Sequence, residues 1–380
     1  MKRKYCIICH LENFTTIYHI PAYPIQMWNT NKPIDSDIYI DFTVVGCSNC
    51  GCIQLSNVVD PSLLYTSSYS TPLFSSIWKE HHAEFSKFIM NNTSQDKFLE
   101  IGANAGQLYM NLCKNRDISY NVLDFKRHND LPLNISCTEG SCEEFDYTAY
   151  SSIIMSHVFE HILDPHRLIK KMYNSGVKEV FISIPDFHAI LENQYINILT
   201  TQHIFYCAKE YIMYLFSLYG YRYEENITFK CHSEFFKFVK SNDCIVELPR
   251  LDYVIKNSTM MFKEYSYIIK SLVINQPTYI CPGGMFGQMV YLLLDTQQKD
   301  NIIGFIDGDI MKNNTRLYGT DKLTYSPGIL QQYTDKPVNI IIMDNPYIKE
   351  IYIYLNKFIN NINLKEIRLK RVVQMKSHCR

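Results

Sequence analysis

The chain has 380 residues, 47% of them hydrophobic, and a formal net charge of −1. That length exceeds one ordinary core and suits two or three domains, while the near-zero charge speaks against a broad nucleic-acid surface. No stretch approaches the roughly 18 apolar residues of a membrane span, and Met1-Lys2-Arg3-Lys4-Tyr5-Cys6 lacks the apolar core of a secretion signal. The expectation is a cytoplasmic protein with no nucleic-acid and no membrane partner, in which thirteen cysteines do not form a disulfide framework.

Residues 1–75 hold prolines, many Ser, Thr and Asn, and two paired cysteine spacings. Cys6-x-x-Cys9 and Cys47-x-x-Cys50 stand 37 residues apart. Four thiolates in two such pairs suit a closed tetrahedral zinc site, which leaves no position for a substrate and folds a small domain with little core. Cys52 is a rival to Cys50 in that set.

Residues 76–241 alternate helical and strand-like patterns. The spacing of apolar residues predicts a helix over Ser75–Met90 and a buried strand over Lys97–Ile101. A helix over Gln107–Lys114 and strands over Tyr120–Leu123, Ser152–Met155 and Val177–Ile184 follow. A further helix covers Ala208–Tyr219. Such alternation implies a parallel sheet with helices on both faces, and ligands of such sheets bind beyond the carboxyl ends of the strands. At that edge lies Glu100-Ile101-Gly102-Ala103-Asn104-Ala105-Gly106. Gly102 and Gly106 allow a sharp turn and close approach of a ligand, Glu100 is a charge at the end of an apolar strand, and Asp124 closes the next strand, where it can grip ribose hydroxyls. A dinucleotide fingerprint wants glycine where Asn104 stands, because a pyrophosphate must sit on the helix terminus. A cofactor without phosphate needs no such cradle, so the pattern favours S-adenosylmethionine, held by Glu100, Gly102, Asn104, Gly106 and Asp124.

His157, Glu160 and His161 follow the third strand of this region at the same edge; Glu160 and His161 could equally open a solvated helix. Gln202-His203-Ile204-Phe205-Tyr206 lies between the fourth strand and the next helix, and His232 stands in Lys230-Cys231-His232-Ser233. Histidine can accept a proton near neutral pH, which methyl transfer to a hydroxyl or to a carbon beside a ketone requires.

Residues 242–380 begin the plan afresh. Tyr279–Cys281 reads as a strand, Pro282-Gly283-Gly284-Met285-Phe286-Gly287 as a turn, Gln288–Leu294 as a helix, and Asn301–Phe305 as a strand ending near Asp307. Taken alone this suggests a nucleotide-binding unit.

In this order the motifs resemble the three-domain, zinc-containing sugar C-methyltransferases, a family of class I S-adenosylmethionine-dependent methyltransferases acting on nucleotide-linked 4-keto-deoxysugars. The resemblance spans nearly the whole chain. It implies a Rossmann-like α/β methyltransferase domain, preceded by a small zinc-binding domain and followed by a second Rossmann-like α/β domain. It implies S-adenosylmethionine and Zn2+ as cofactors and a nucleotide-sugar or other small molecule as substrate. His203 matches a histidine implicated in proton handling and is the expected general base, with His161 and His232 near the substrate. Where that pattern has glutamate and tyrosine this chain has Gln202 and Thr200. A second tyrosine of the pattern corresponds to Tyr69, Ser70 or Thr71. These departures leave carbon against oxygen methylation open, and a non-catalytic scaffold that binds the cofactor is the alternative.

Overall fold

The computed structural model describes residues 1–65, 76–114, 116–195, 200–244, 247–333, 338–343, 348–359 and 364–369. The amino-terminal part contributes strands β1 (Phe14–Pro24), β2 (Asn29–Thr30), β3 (Tyr39–Cys47) and β4 (Ile53–Leu55) and the short helix α1 (Pro61–Leu64). β1, β3 and β4 form an antiparallel sheet in that order, with Phe14 opposite Cys47 and Pro24 opposite Tyr39.

The middle of the chain supplies α2 (Ser76–Asn91), β5 (Lys97–Ile101), α3 (Gln107–Leu112), β6 (Ser119–Asp124), β7 (Ser136–Glu139) and β8 (Ser152–Ser156). It continues with α4 (Pro165–Asn174), β9 (Glu179–Pro185), α5 (Phe187–Asn193), α6 (Lys209–Leu218), β10 (Tyr221–Phe229) and β11 (Ser233–Lys240). Asp164 and Asp186 start α4 and α5 by accepting from Arg167 N and Ala189 N, the usual way an N-cap carboxylate satisfies an orphan amide. The strands form one sheet in the order β10-β11-β9-β8-β5-β6-β7, parallel except for β11. Successive residues point to opposite faces of a strand, and both faces here are covered. Leu99, Ile101, Ile153, Met155, Val180 and Ile182 enter one core. Phe98, Val122, Ile154, Phe181 and Phe235 enter another with Phe85, Phe88 and Ile89 of α2.

The last third opens with the 19-residue helix α7 (Asp252–Lys270), followed by β12 (Thr278–Cys281), α8 (Met285–Leu293), α9 (Thr296–Asp300), β13 (Ile302–Ile306), β14 (Thr315–Leu317), β15 (Leu323–Tyr325), β16 (Val338–Met343), α10 (Ile348–Ile359) and β17 (Leu364–Leu369). They form a second seven-stranded sheet, β17-β16-β12-β13-β15-β14-β2, whose outer strand comes from the amino-terminal part.

The expected strands appear within two residues of their predicted ends. The helix expected from Gln288 starts at Met285 instead, because Gly284 remains extended and the helix begins directly after it. The β10–β11 hairpin and α7 were not anticipated; the apolar residues that signal them also fit loop or buried-helix readings. No helix among the described residues is long and apolar enough to cross a membrane.

Candidate active site and cysteine centre

The Sγ atoms of Cys6, Cys9, Cys47 and Cys50 all lie within 4.8 Å of one another. Cys6 and Cys50 approach to 3.6 Å and Cys9 and Cys47 to 3.5 Å. Four thiolates about 2.3 Å from a tetrahedral zinc stand roughly 3.8 Å apart, so the set fits that ion. Cys52 is not a member: its thiol faces the Ile53 carbonyl at 3.6 Å. The centre is built between the turn before β1 and the β3–β4 hairpin. Gln54 fastens the two by accepting from Ile7 N at 2.8 Å and donating to Tyr5 O at 3.3 Å.

At the carboxyl end of β5 the chain turns through Gly102 (φ +72), Asn104 (φ +51) and Gly106 (φ +76), left-handed conformations that glycine adopts freely and asparagine tolerates. A Cβ on Gly102 would stand 2.5 Å from Val158 Cγ2. The glycine is therefore required by the protein's own packing, and a valine there would disturb the fold before it met any ligand. The charge on Glu100 also has a reason inside the protein. Its carboxylate, 2% exposed, accepts the Tyr120 hydroxyl, and burial raises its pKa to about 7. Asp124 closes β6, and its Oδ1 accepts from Phe125 N at 2.7 Å. Burial raises its pKa while backbone amides, including that of Asn104, pull it down. A ligand beyond β5 and β6 would meet this turn and this carboxylate together.

Val158, which abuts Gly102, belongs to the segment leading from β8 into the catalytic candidates. His157 sits at φ +53, a position non-glycine residues rarely occupy outside functional or tightly constrained sites. Glu160 is 2% exposed, so it does not open a solvated helix. It lies in a single 3-10 turn, Phe159–His161. Its Oε1 is 3.5 Å from His157 Nδ1 and 3.9 Å from His161 Nε2, and neither carboxylate oxygen has a hydrogen-bond partner. Ligating atoms of Glu160, His161 and His203 lie within 4.8 Å of one another, and the His161 and His203 rings meet edge to face at 5.0 Å. Burial, the dominant cause, lowers the pKa of His203 to about 3 and of His161 to about 4, and raises that of Glu160.

The loop that carries His203 is held from the amino-terminal sheet. Leu55 N donates to Ile204 O and Tyr206 N to Ile53 O, Ile204 N donates to Glu160 O, and the Thr201 hydroxyl donates to Ile25 O. Thr200 and Gln202, which replace tyrosine and glutamate of the resembling pattern, are joined by a 3.3 Å bond from Gln202 N to Thr200 Oγ1.

His232 is not with this group. Its ring faces His81 and His157, one nitrogen of each lying within 4.8 Å of the others, with Trp78 against all three. Ser233 Oγ bonds both His232 Nδ1 (2.6 Å) and His157 Nε2 (2.8 Å), so His157 links the two histidine groups. Tyr69, with Ser70 and Thr71, lies outside the described residues. Tyr65 does reach the site: its hydroxyl is 3.3 Å from His161 Nδ1, and its ring stacks on Phe125 at 5.1 Å, beside Asp124. The sequence reading missed Tyr65 and the part played by His81; no local pattern marks either, and only the fold brings them to the β8 edge.

The sequence matches no protein-family description and no curated protein. Solved structures that resemble it include 1,6-didemethyltoxoflavin-N1-methyltransferase from Burkholderia thailandensis, with bound 1,6-didemethyltoxoflavin and S-adenosylhomocysteine. It is 10% identical, covers 54% of this chain and 99% of its own, and gives a TM-score of 0.39. The N-methyltransferase NodS from Bradyrhizobium japonicum, with S-adenosylhomocysteine, is 13% identical over 44% of this chain and 89% of its own, TM-score 0.36. The PH0226 protein from Pyrococcus horikoshii is 12% identical over 49% and 100%, TM-score 0.37. The strand order itself, a parallel sheet with one antiparallel strand, β11, inserted between β10 and β9, makes the middle of this chain a Rossmann-like class I methyltransferase fold, flanked by further sheets and a cysteine cluster able to bind a metal.

Proposed function

We propose that the chain transfers the methyl group of S-adenosylmethionine to a small-molecule acceptor. The observation that carries this is the contact between the Gly102 turn and Val158, which sets the cofactor edge of β5 and β6 directly beside the group of Glu160, His161 and His203. When bound, the cofactor supplies an electrophilic methyl on a sulfonium. Gly102, Asn104 and Gly106 shape the turn against it, Glu100 and Asp124 offer carboxylates at its strand ends, and Cys6, Cys9, Cys47 and Cys50 hold a structural zinc that supports the His203 loop.

The Glu160–His161–His203 group as a whole assists the loss of the acceptor's proton. A His203 ring with its pKa lowered to about 3 is a weak base by itself, so the role expected of it alone is shared. His203→Ala should lower turnover by roughly 10²–10⁴-fold, the range of general acid–base assistance, with cofactor affinity little changed; turnover near wild type in the folded variant would remove the loop from the chemistry. The nucleotide-linked deoxysugar named by the resemblance is one member of the acceptor class. The deciding experiment is incubation with methyl-labelled S-adenosylmethionine and a panel of nucleotide-linked 4-keto-deoxysugars and other hydroxylated small molecules, with the product's mass and methyl position read. Label in any product supports methyl transfer; no binding of the cofactor by calorimetry would overturn it, and binding without transfer to any acceptor would favour the scaffold.

A further inference from the structure

We infer that Glu160, His161 and His203 form a second metal site, separate from the four cysteines, for a divalent first-row transition cation. The starting observation is a carboxylate without a partner. Glu160 is 2% exposed and both its oxygens lack a hydrogen bond, a costly arrangement for a buried polar group. The groups that face it are imidazoles, His157 and His161 on its own segment and His203 on the loop across from it. Imidazole nitrogens offer lone pairs to a cation held at such a carboxylate. A cation supplies the missing charge; a water molecule would not.

The spacings agree with an ion. The separation of Glu160 Oε1 from His161 Nε2, 3.9 Å, is too long for a good hydrogen bond. Two ligands each about 2.1 Å from one tetrahedral ion stand roughly 3.4 Å apart, so small side-chain adjustments complete the site. Space exists beside it. Glu160 and His203 line a cavity of about 10 Å³, closed otherwise by Pro185, Phe187, Ile190 and Phe205 with Tyr206 and Cys207. That volume suits a single water-sized occupant. Two imidazoles and one carboxylate form a donor set suited to zinc, iron, cobalt or manganese, with positions left for exogenous ligands. The second coordination shell is partly in place, since His161 Nδ1 lies 3.3 Å from the Tyr65 hydroxyl and ligating histidines are ordinarily oriented by such a contact.

Cobalt(II) is the probe. The full chain, with its cysteine site already filled by zinc, should take up one further cobalt(II) with the visible absorption of nitrogen and oxygen ligation and without thiolate charge-transfer bands. Glu160→Gln should weaken that uptake by at least 100-fold. Because this variant could fold poorly, the wild-type chain loaded with manganese(II) should also show imidazole nitrogen coupling in pulsed electron paramagnetic resonance. Uptake confined to thiolate ligation, the absence of nitrogen coupling, or unchanged affinity in a folded Glu160→Gln chain would each overturn the site. Asp124→Ala should leave cobalt uptake intact, so this result stands apart from cofactor binding.

Discussion

Glu100 and Asp124 close neighbouring strands, yet the protein treats them differently. Glu100 is sealed against the Tyr120 hydroxyl, while Asp124 stays partly exposed at the end of β6. Asp124 is therefore the better probe of the proposed cofactor site. Asp124→Ala should weaken S-adenosylmethionine binding by about 1–3 kcal/mol, the cost of leaving a ligand hydroxyl without its charged partner. Gly284→Val, whose Cβ would approach only the flexible Lys312 ammonium at 3.3 Å, should leave binding as it is. Calorimetry checks both, and unchanged affinity in Asp124→Ala would move the cofactor elsewhere. Glu100 makes a pH prediction instead. Its pKa is raised from 4.5 to about 7 by burial, so its contribution to stability is complete below pH 4.5 and is lost as pH rises through 7, a change of about 3 kcal/mol at most. Glu100→Gln should remove that part of the pH dependence. The difference between the denaturation midpoints of the variant and the wild type, followed from pH 5 to pH 8, reads it, and a difference independent of pH would mean that Glu100 is ionised throughout.

The segment carrying His203 belongs to no regular element of its own sheet; it is the backbone pairing to β4 that fixes it. β4 in turn leaves the hairpin containing Cys47 and Cys50, whose carbonyl at Cys50 accepts from Tyr211 of α6 at 2.9 Å. The cysteine centre and the His203 loop are thus coupled through three residues of strand. One zinc per chain held by the cysteines is expected, read by elemental analysis as the difference between the wild type and a Cys6→Ser/Cys47→Ser chain. Its removal with a strong chelator should raise amide exchange in residues 203–207 as well as in the cysteine turns, whereas a Cys6→Ser/Cys47→Ser chain should retain no stoichiometric metal at this centre. Protection unchanged after zinc loss would uncouple the two. This coupling explains what could be read from the sequence and what could not. The cysteine pairs, β5 with its glycine turn, and Asp124 carry their signal in short spacings, which survive without knowledge of the fold. Glu160 is held against the Ile204 segment, whose amide donates to its carbonyl, and Tyr65 reaches His161 across 96 positions of chain; such placement leaves no local pattern. β11 leaves no simple pattern for a related reason, since Phe235, Phe236 and Phe238 are all buried and therefore lack the alternation of a half-exposed strand.

Across the molecule, the three sheets are not free to behave as three proteins. One apolar core contains Tyr23 and Phe42 of the amino-terminal sheet, Leu99 and Ile153 of the methyltransferase sheet, and Ile280 and Phe305 of the last. β2 completes that last sheet, and the connection is locked by an ion pair. Arg316 Nη1 and Nη2 donate to Asp37 Oδ2 and Oδ1 at 2.7 and 2.6 Å, with Nε on the Lys32 carbonyl and Nη2 also on that of Pro33. The Tyr318-Gly319 loop joins the same junction, since Gly319 N donates to Asp37 Oδ2 and the Tyr318 hydroxyl accepts from Ile38 N. The Asp37 side chain is fully buried, so removing its partner strands a charge. Arg316→Ala should cost about 3–5 kcal/mol, and Arg316→Lys should recover little of it, because an ammonium cannot reproduce the two parallel bonds. The shared core further requires the zinc-loaded wild type to unfold in one cooperative transition, the same by circular dichroism and by tryptophan fluorescence from Trp28 and Trp78, which report the β2 junction and the histidine cluster respectively. Arg316→Ala should split that transition, the Trp28 signal changing first at lower denaturant. Coincident transitions in Arg316→Ala, with a midpoint close to that of the wild type, would show that the apolar core alone joins the sheets and that the buried pair adds nothing to their union.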